Sequence, residues 1–153
     1  MRSPGNILFK LFLLALTINA CKDSGDPVAS MSPLPSSPTS YSYSGYNSKG
    51  LLVVVGSMTL AFTDSQTVSG TWILECVAPC ENVGPQTGSG TLRGSVQGAR
   101  VMVDLNPGWA DNNVFLSGSI DKDRFSGTWM WSTFVGPTSE GRFEALKIEA
   151  LRS

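Results

Sequence analysis

Few side chains in this 153-residue chain could do chemistry, and there is no histidine among them. That removes the side chain most often used as a general base near neutral pH, the Ser-His and Cys-His nucleophile systems, and the commonest metal ligand. Carboxylate pairs remain. Asp121 and Asp123 sit in one short polar turn, Asp104 and Asp111 flank a loop, and Glu144 and Glu149 lie near the C-terminus. None has a spacing that implies an acid–base site. No glycine-rich segment runs into a helix, as a phosphate cradle would require. The expectation is therefore no catalytic residue, no metal and no cofactor: a protein that is not an enzyme.

Three cysteines are left. Cys76 and Cys80, in Cys76-Val77-Ala78-Pro79-Cys80, are expected to form a disulfide across a strand-to-loop junction in an oxidising compartment. The loop they close is small, so its stabilisation belongs at the low end of the roughly 0–5 kcal/mol range. The bond would stiffen residues 77–87. A redox pair normally has two intervening residues, and a two-cysteine metal site lacks further ligands here.

Trp109 is the other residue whose placement asks for a function. It sits in Asn106-Pro107-Gly108-Trp109-Ala110-Asp111-Asn112-Asn113, among turn formers and outside any alternating pattern. An aromatic on a loop is either a contact for a partner or ligand or a lid folded over the end of the fold; the sequence leaves both open.

The elements that must position these residues are strands. Beyond about residue 41 the chain is rich in Gly, Ser, Thr, Val and aromatics, with turn clusters every 8–12 residues. Apolar residues alternate with polar ones: Val68, Gly70, Trp72 and Leu74; Phe125, Gly127, Trp129 and Trp131; Val101, Val103 and Leu105; Val114, Leu116, Gly118 and Ile120. Period two with one polar face is the antiparallel pattern. It places strands near 42–48, 51–63, 67–76, 88–96, 99–105, 113–120, 124–133 and 140–150. The last is ambiguous, since residues 142–151 contain strong helix formers. As a strand it should need a bulge near Ala145-Leu146.

Eight short strands in hairpin sequence imply an all-β fold, a small antiparallel up-and-down β-barrel, in which closure removes exposed edges. A motif recurs: Val68-Ser-Gly-Thr-Trp72 and Phe125-Ser-Gly-Thr-Trp129, 57 residues apart, each preceded by Gly-Ser-hydrophobe and followed by a loop with Gly-Pro. The glycine would leave room that the adjacent tryptophan fills, a packing device at a barrel corner. This pattern of Gly-Thr-Trp strands resembles small eight-stranded barrels of the lipocalin, avidin and bacterial-inhibitor type over most of residues 45–150.

The N-terminus carries a different signal. Arg2 and Lys10 precede the apolar run Leu11-Phe12-Leu13-Leu14-Ala15-Leu16, too short to span a bilayer. Ile18-Asn19-Ala20-Cys21 resembles the lipobox of bacterial lipoproteins, with Asn19 a less common middle residue. The resemblance implies a signal peptide over 1–20 and acylation at Cys21, giving a stable membrane anchor. Lys22, where an acidic residue marks inner-membrane retention in enterobacterial relatives, implies an outer-membrane lipoprotein on the periplasmic or surface face. Residues 21–40 are Ser- and Pro-rich with few large apolar groups, a flexible tether ahead of the domain at 41–153. Loss of residues 1–20 removes two of 11 basic residues and none of 12 acidic ones, for a net charge of about −3. That excludes an electrostatic nucleic-acid binder.

Function is then expected in binding. Loops 77–87, 106–113 and 133–139 at one barrel end would form a non-enzymatic interaction module for a protein partner. The alternatives are a carrier holding a small apolar ligand in the barrel, lined by Trp72, Trp129, Trp131, Phe62 and Phe143, or a periplasmic protease-inhibitor-like barrel.

Overall fold

A computed structural model of the chain describes residues 34–35, 37–63, 66–77 and 79–148. Cys21, the segment expected to be a signal peptide and most of the expected tether lie outside the described residues, as do residues 149–153.

The described chain is all-β. Eight strands, β1 (Thr39–Asn47), β2 (Leu52–Phe62), β3 (Thr67–Cys76), β4 (Gly88–Gln97), β5 (Arg100–Asp104), β6 (Asn112–Asp121), β7 (Arg124–Thr133) and β8 (Gly136–Lys147), follow one another around a closed antiparallel barrel, and β1 pairs with β8 to shut it. The alternation read from the sequence decides which side chains enter. Tyr41, Tyr43, Met58, Leu60, Val68, Trp72, Leu74, Leu92, Leu116, Phe125, Trp129 and Phe143 are all buried. The rings of Tyr43 and Phe143 stack at 5.8 Å, and Phe125 meets Phe143 edge-on at 4.8 Å.

Several details differ from expectation. β1 begins at Thr39, inside the segment read as tether, and Leu34 already packs against the core. β8 is a strand, but without a bulge at Ala145-Leu146: Phe143 and Ala145 point inward and Leu146 simply faces out. The irregularity falls earlier, where Trp131 pairs with Ser139 and Ser132 with Pro137.

The repeated motif also works differently. A Cβ on Gly70 would lie 1.8 Å from the Thr59 carbonyl oxygen, and one on Gly127 2.1 Å from that of Ser117. These glycines let neighbouring backbones close together rather than making room for their own tryptophan. The room comes from the next strand: Gly90 on β4 lies opposite Trp72, and Gly141 on β8 opposite Trp129. The Gly-Ser-hydrophobe part of the repeat has no structural counterpart. Gly56 pairs with Leu74 beyond Trp72, whereas Gly118 pairs with Gly127 on the other side of Trp129.

The up-and-down order sorts the connections by end. The short connections at 63–66, 98–99 and 122–123 share one end with the start of β1 and the end of β8. The segments 48–51, 77–87, 105–111 and 134–135 share the other. The three loops expected to act together do lie at one end, opposite the start of β1 and the end of β8.

Candidate functional site at the loop end

The interior at this end is occupied by the protein itself. The β3–β4 segment folds into the mouth and buries Val83 and Gln86 completely or nearly so. The Tyr43 hydroxyl donates to Gln86 Oε1 at 3.3 Å, and Gln86 Nε2 donates to the Val83 carbonyl at 2.7 Å. Burial raises the Tyr43 pKa far above that of a free phenol, so the hydroxyl keeps the proton it donates. Gly84, at φ 67°, lies so close to the Trp131 ring that any Cβ would come within 2.5 Å of it. The Trp131 indole in turn donates to Asn112 Oδ1 at 2.7 Å. Cys76 and Cys80 are joined in a disulfide, and the Val77 N–H donates to the Val53 carbonyl at 3.1 Å, tying the start of the segment to β2.

Trp109 is not the lid; residues 83–86 have that place. It is 58% exposed and stands on a loop held from within. The Asp104 carboxylate accepts from the Asn106 N–H and from Asn113 Nδ2, both at 2.8 Å. Asn113 Nδ2 also reaches the Asn106 carbonyl, Asn106 Oδ1 accepts from the Val114 N–H, and Asn106 Nδ2 donates to the Pro85 carbonyl at 3.1 Å. The Trp109 N–H closes a turn on the Asn106 carbonyl at 3.0 Å. The loop backbone that carries this exposed ring is thus held in place, so the loop would need little further ordering on binding.

The other sequence-selected tryptophans have different roles. Trp72 and Trp129 are core residues whose indole N–H groups reach past the next strand: Trp72 to the Leu105 carbonyl, just after β5, at 2.7 Å, and Trp129 to the Tyr46 carbonyl of β1 at 2.8 Å. Their surroundings differ. Beside Trp129, β8 pairs with β1 from Gly141 onward, and a Cβ on Gly141 would meet the Tyr46 oxygen at 1.9 Å. Beside Trp72, β5 ends at Asp104 opposite Arg93, so Gly88–Leu92 of β4 pair with β3 alone. The nearest atoms that a Cβ on Gly90 would meet belong to the Trp72 indole, at 3.0 Å. The chain leaves the ladder here because it turns into Asn106-Pro107, and proline has no N–H to donate. The result is a cleft of about 350 Å³ between β4 and the β5–β6 loop, which brings Trp72 and Trp109 together with Ser89, Thr91 and Pro107. Trp129 and Trp131 lie elsewhere.

Two features escaped the sequence reading. Phe134 and Val135 form the tip of the β7–β8 hairpin and are 89% and 91% exposed. With Leu51, Val77 and Trp109, they place five of the nine large exposed apolar side chains of the described residues on the loop end. A signal was available: Phe-Val is an unusual pair for a hairpin turn, where Asn, Asp and Gly prevail. Separately, Met102, Phe115 and Met130 point outward from β5–β7 and line a shallow trough of about 660 Å³, with Arg100, Glu140 and Arg142 also at its wall.

Fold and site together define a closed eight-stranded antiparallel barrel with a filled interior and a structured loop end. No protein-family profile matches the chain, and no curated protein is similar to it in sequence. Among solved structures, that titled as the rhizavidin–biotin complex aligns with a TM-score of 0.49 at 16% identity, over 79% of this chain and 100% of that one.

Proposed function

We propose that the protein is a non-enzymatic, lipid-anchored binding module of the cell envelope, held in the outer membrane through Cys21 and engaging a protein partner with the loop end of its barrel. The observation that carries this reading is the collection of Leu51, Val77, Trp109, Phe134 and Val135 on loops at one end of a barrel whose interior its own side chains fill. Exposed apolar groups gathered at one place mark interaction surfaces. The topology suits an anchor, because the chain enters the barrel at the opposite end. Residues 22–38 could extend to at most roughly 60 Å, a reach that would let the loop end stand clear of the membrane.

A second reading, the ligand carrier, has one observation in its favour. Gln86 is a buried polar side chain at the barrel mouth, carried on a connecting segment rather than a strand. A ligand would enter by displacing it.

The experiment is site-directed photo-crosslinking in the native envelope, with a photoreactive phenylalanine analogue at position 134 and, separately, at position 148 near the other end. A discrete protein adduct from position 134 alone is expected. Adducts from 148 alone, or none from 134, would contradict loop-end binding. The anchor is tested by Cys21→Ser, which should move the protein from the membrane to the soluble fraction.

A further inference from the structure

We propose that the open edge of β4, Gly88–Leu92, accepts an extended polypeptide segment of the partner as an added strand, with Trp109 packed against it. This rests on the loop-end reading and specifies its ligand as unfolded or extended peptide.

The argument begins with hydrogen bonds. In a strand, N–H and C=O groups point to alternate sides, so a stretch paired on one side only presents donors and acceptors from every second residue on the other. Gly88–Leu92 are paired with Leu74–Gly70 of β3, and β5 has stopped before reaching them. Donors and acceptors alternating at strand spacing are matched by another extended backbone, the basis of peptide recognition by strand addition. Proteins that must keep such an edge vacant shield it with Lys, Pro, bulges or a covering segment. Here the edge reads Gly88-Ser89-Gly90-Thr91-Leu92, without charge or proline.

The cleft beside it is built rather than incidental. Trp72 forms its floor, fixed by the bond to the Leu105 carbonyl. Trp109, on the loop braced by Asp104, Asn106 and Asn113, forms the far rim with Pro107 and Gly108. Ser89 and Thr91 stand on the outward face of β4, where small side chains leave the backbone reachable. The lining holds no charged side chain, so peptide charge should contribute little, and recognition should rest on backbone pairing plus one apolar residue against Trp109.

The test uses the full-length chain in detergent and a phage-displayed library of linear ten-residue peptides as the probe. Enriched peptides are resynthesised with single N-methyl groups walked along the backbone, and amide exchange of the protein is followed by NMR. The result expected is slowed exchange within Gly88–Leu92, loss of affinity of at least tenfold when every second peptide amide is methylated, and little change at the amides between. Trp109→Ala should weaken the same peptides. Peptides that protect the Leu51 and Phe134 loops but not β4, or that bind regardless of N-methylation, would overturn strand addition and leave the loop-end reading standing. Binding confined to the Met102–Phe115–Met130 trough, or no enrichment, would also overturn it. Failure of the crosslink at position 134 would remove the loop-end reading itself.

Discussion

Trp72 and Trp129 stand at equivalent points of the two halves of the barrel, each four residues after a hydrophobic residue in the same Ser-Gly-Thr-Trp motif, each opposite a glycine of the next strand, and each bonded through its indole to a carbonyl beyond. The seam beside Trp129 is closed by β1; the seam beside Trp72 is open because β5 is five residues long where β1 is nine. The lesson is that the repeated motif builds the scaffold and the place where repetition fails leaves the cleft. The open seam is also where the braced β5–β6 loop sets Trp109 in solvent, a feature with no counterpart at the closed seam, where a short turn joins β1 to β2.

Substituting the two glycines should break this comparison most visibly. Gly141→Ala forces a methyl to within 1.9 Å of the Tyr46 carbonyl, so backbone must move, and a loss of more than about 4 kcal/mol or failure to fold is expected. Gly90→Ala meets a side chain at 3.0 Å and should lose only about 1–3 kcal/mol. Urea unfolding of the two variants measures both. Equal losses would mean the seams are equally tight.

Removing the indole N–H tests the two bonds separately. Trp72→Phe leaves the buried Leu105 carbonyl unpaired, for a loss of about 1–3 kcal/mol; Trp129→Phe leaves unpaired the Tyr46 carbonyl, which is only partly buried, for about 0.5–1.5 kcal/mol.

The halves also differ in pH response, because β1 buries two phenols where β5 buries valines. Burial raises both Tyr43 and Tyr41, with Asp123 adding to the shift of Tyr41. Above about pH 10 the unfolded phenols lose protons that the folded ones retain. The unfolded state then binds fewer protons, and stability falls as pH rises, by up to about 1.4 kcal/mol per pH unit for each tyrosine. It is fully present below pH 10. Tyr43→Phe should flatten that fall in denaturant titrations between pH 9 and 11. The smallest effect belongs to Trp109→Ala, which should leave stability within about 0.5 kcal/mol of the parent.

Much of the barrel was legible because period-two alternation is a local signal. Val101 and Val103 or Leu116 and Gly118 need no distant partner to declare a strand, and the disulfide between Cys76 and Cys80 follows from nearness in sequence. What was missed depends on contacts between distant residues. Which glycine accommodates Trp72 is set by the pairing of β3 with β4, and no property of Gly70 or Gly90 alone reveals it. Gln86 is a polar residue in a loop, and only its meeting with Tyr43 turns it into core. Trp109 stood out for its place among turn formers, but its exposure is decided by Asp104, Asn106 and Asn113 bracing the loop and by Val83 and Gln86 closing the mouth. The slip expected at Ala145-Leu146 came from treating Leu146 as a core residue, when the strand carries it outside.

The central claim, that one seam is open and its equivalent closed, is tested most directly by residue-resolved amide hydrogen exchange along β4 and β8. An open β4 edge predicts a sawtooth through Gly88–Leu92, with every second amide exchanging quickly and those bonded to β3 slowly, beside uniformly slow exchange through Gly141–Ala145. Uniform protection through Gly88–Leu92 would show that a partner strand already covers the edge, and would contradict both the comparison and the site built on it.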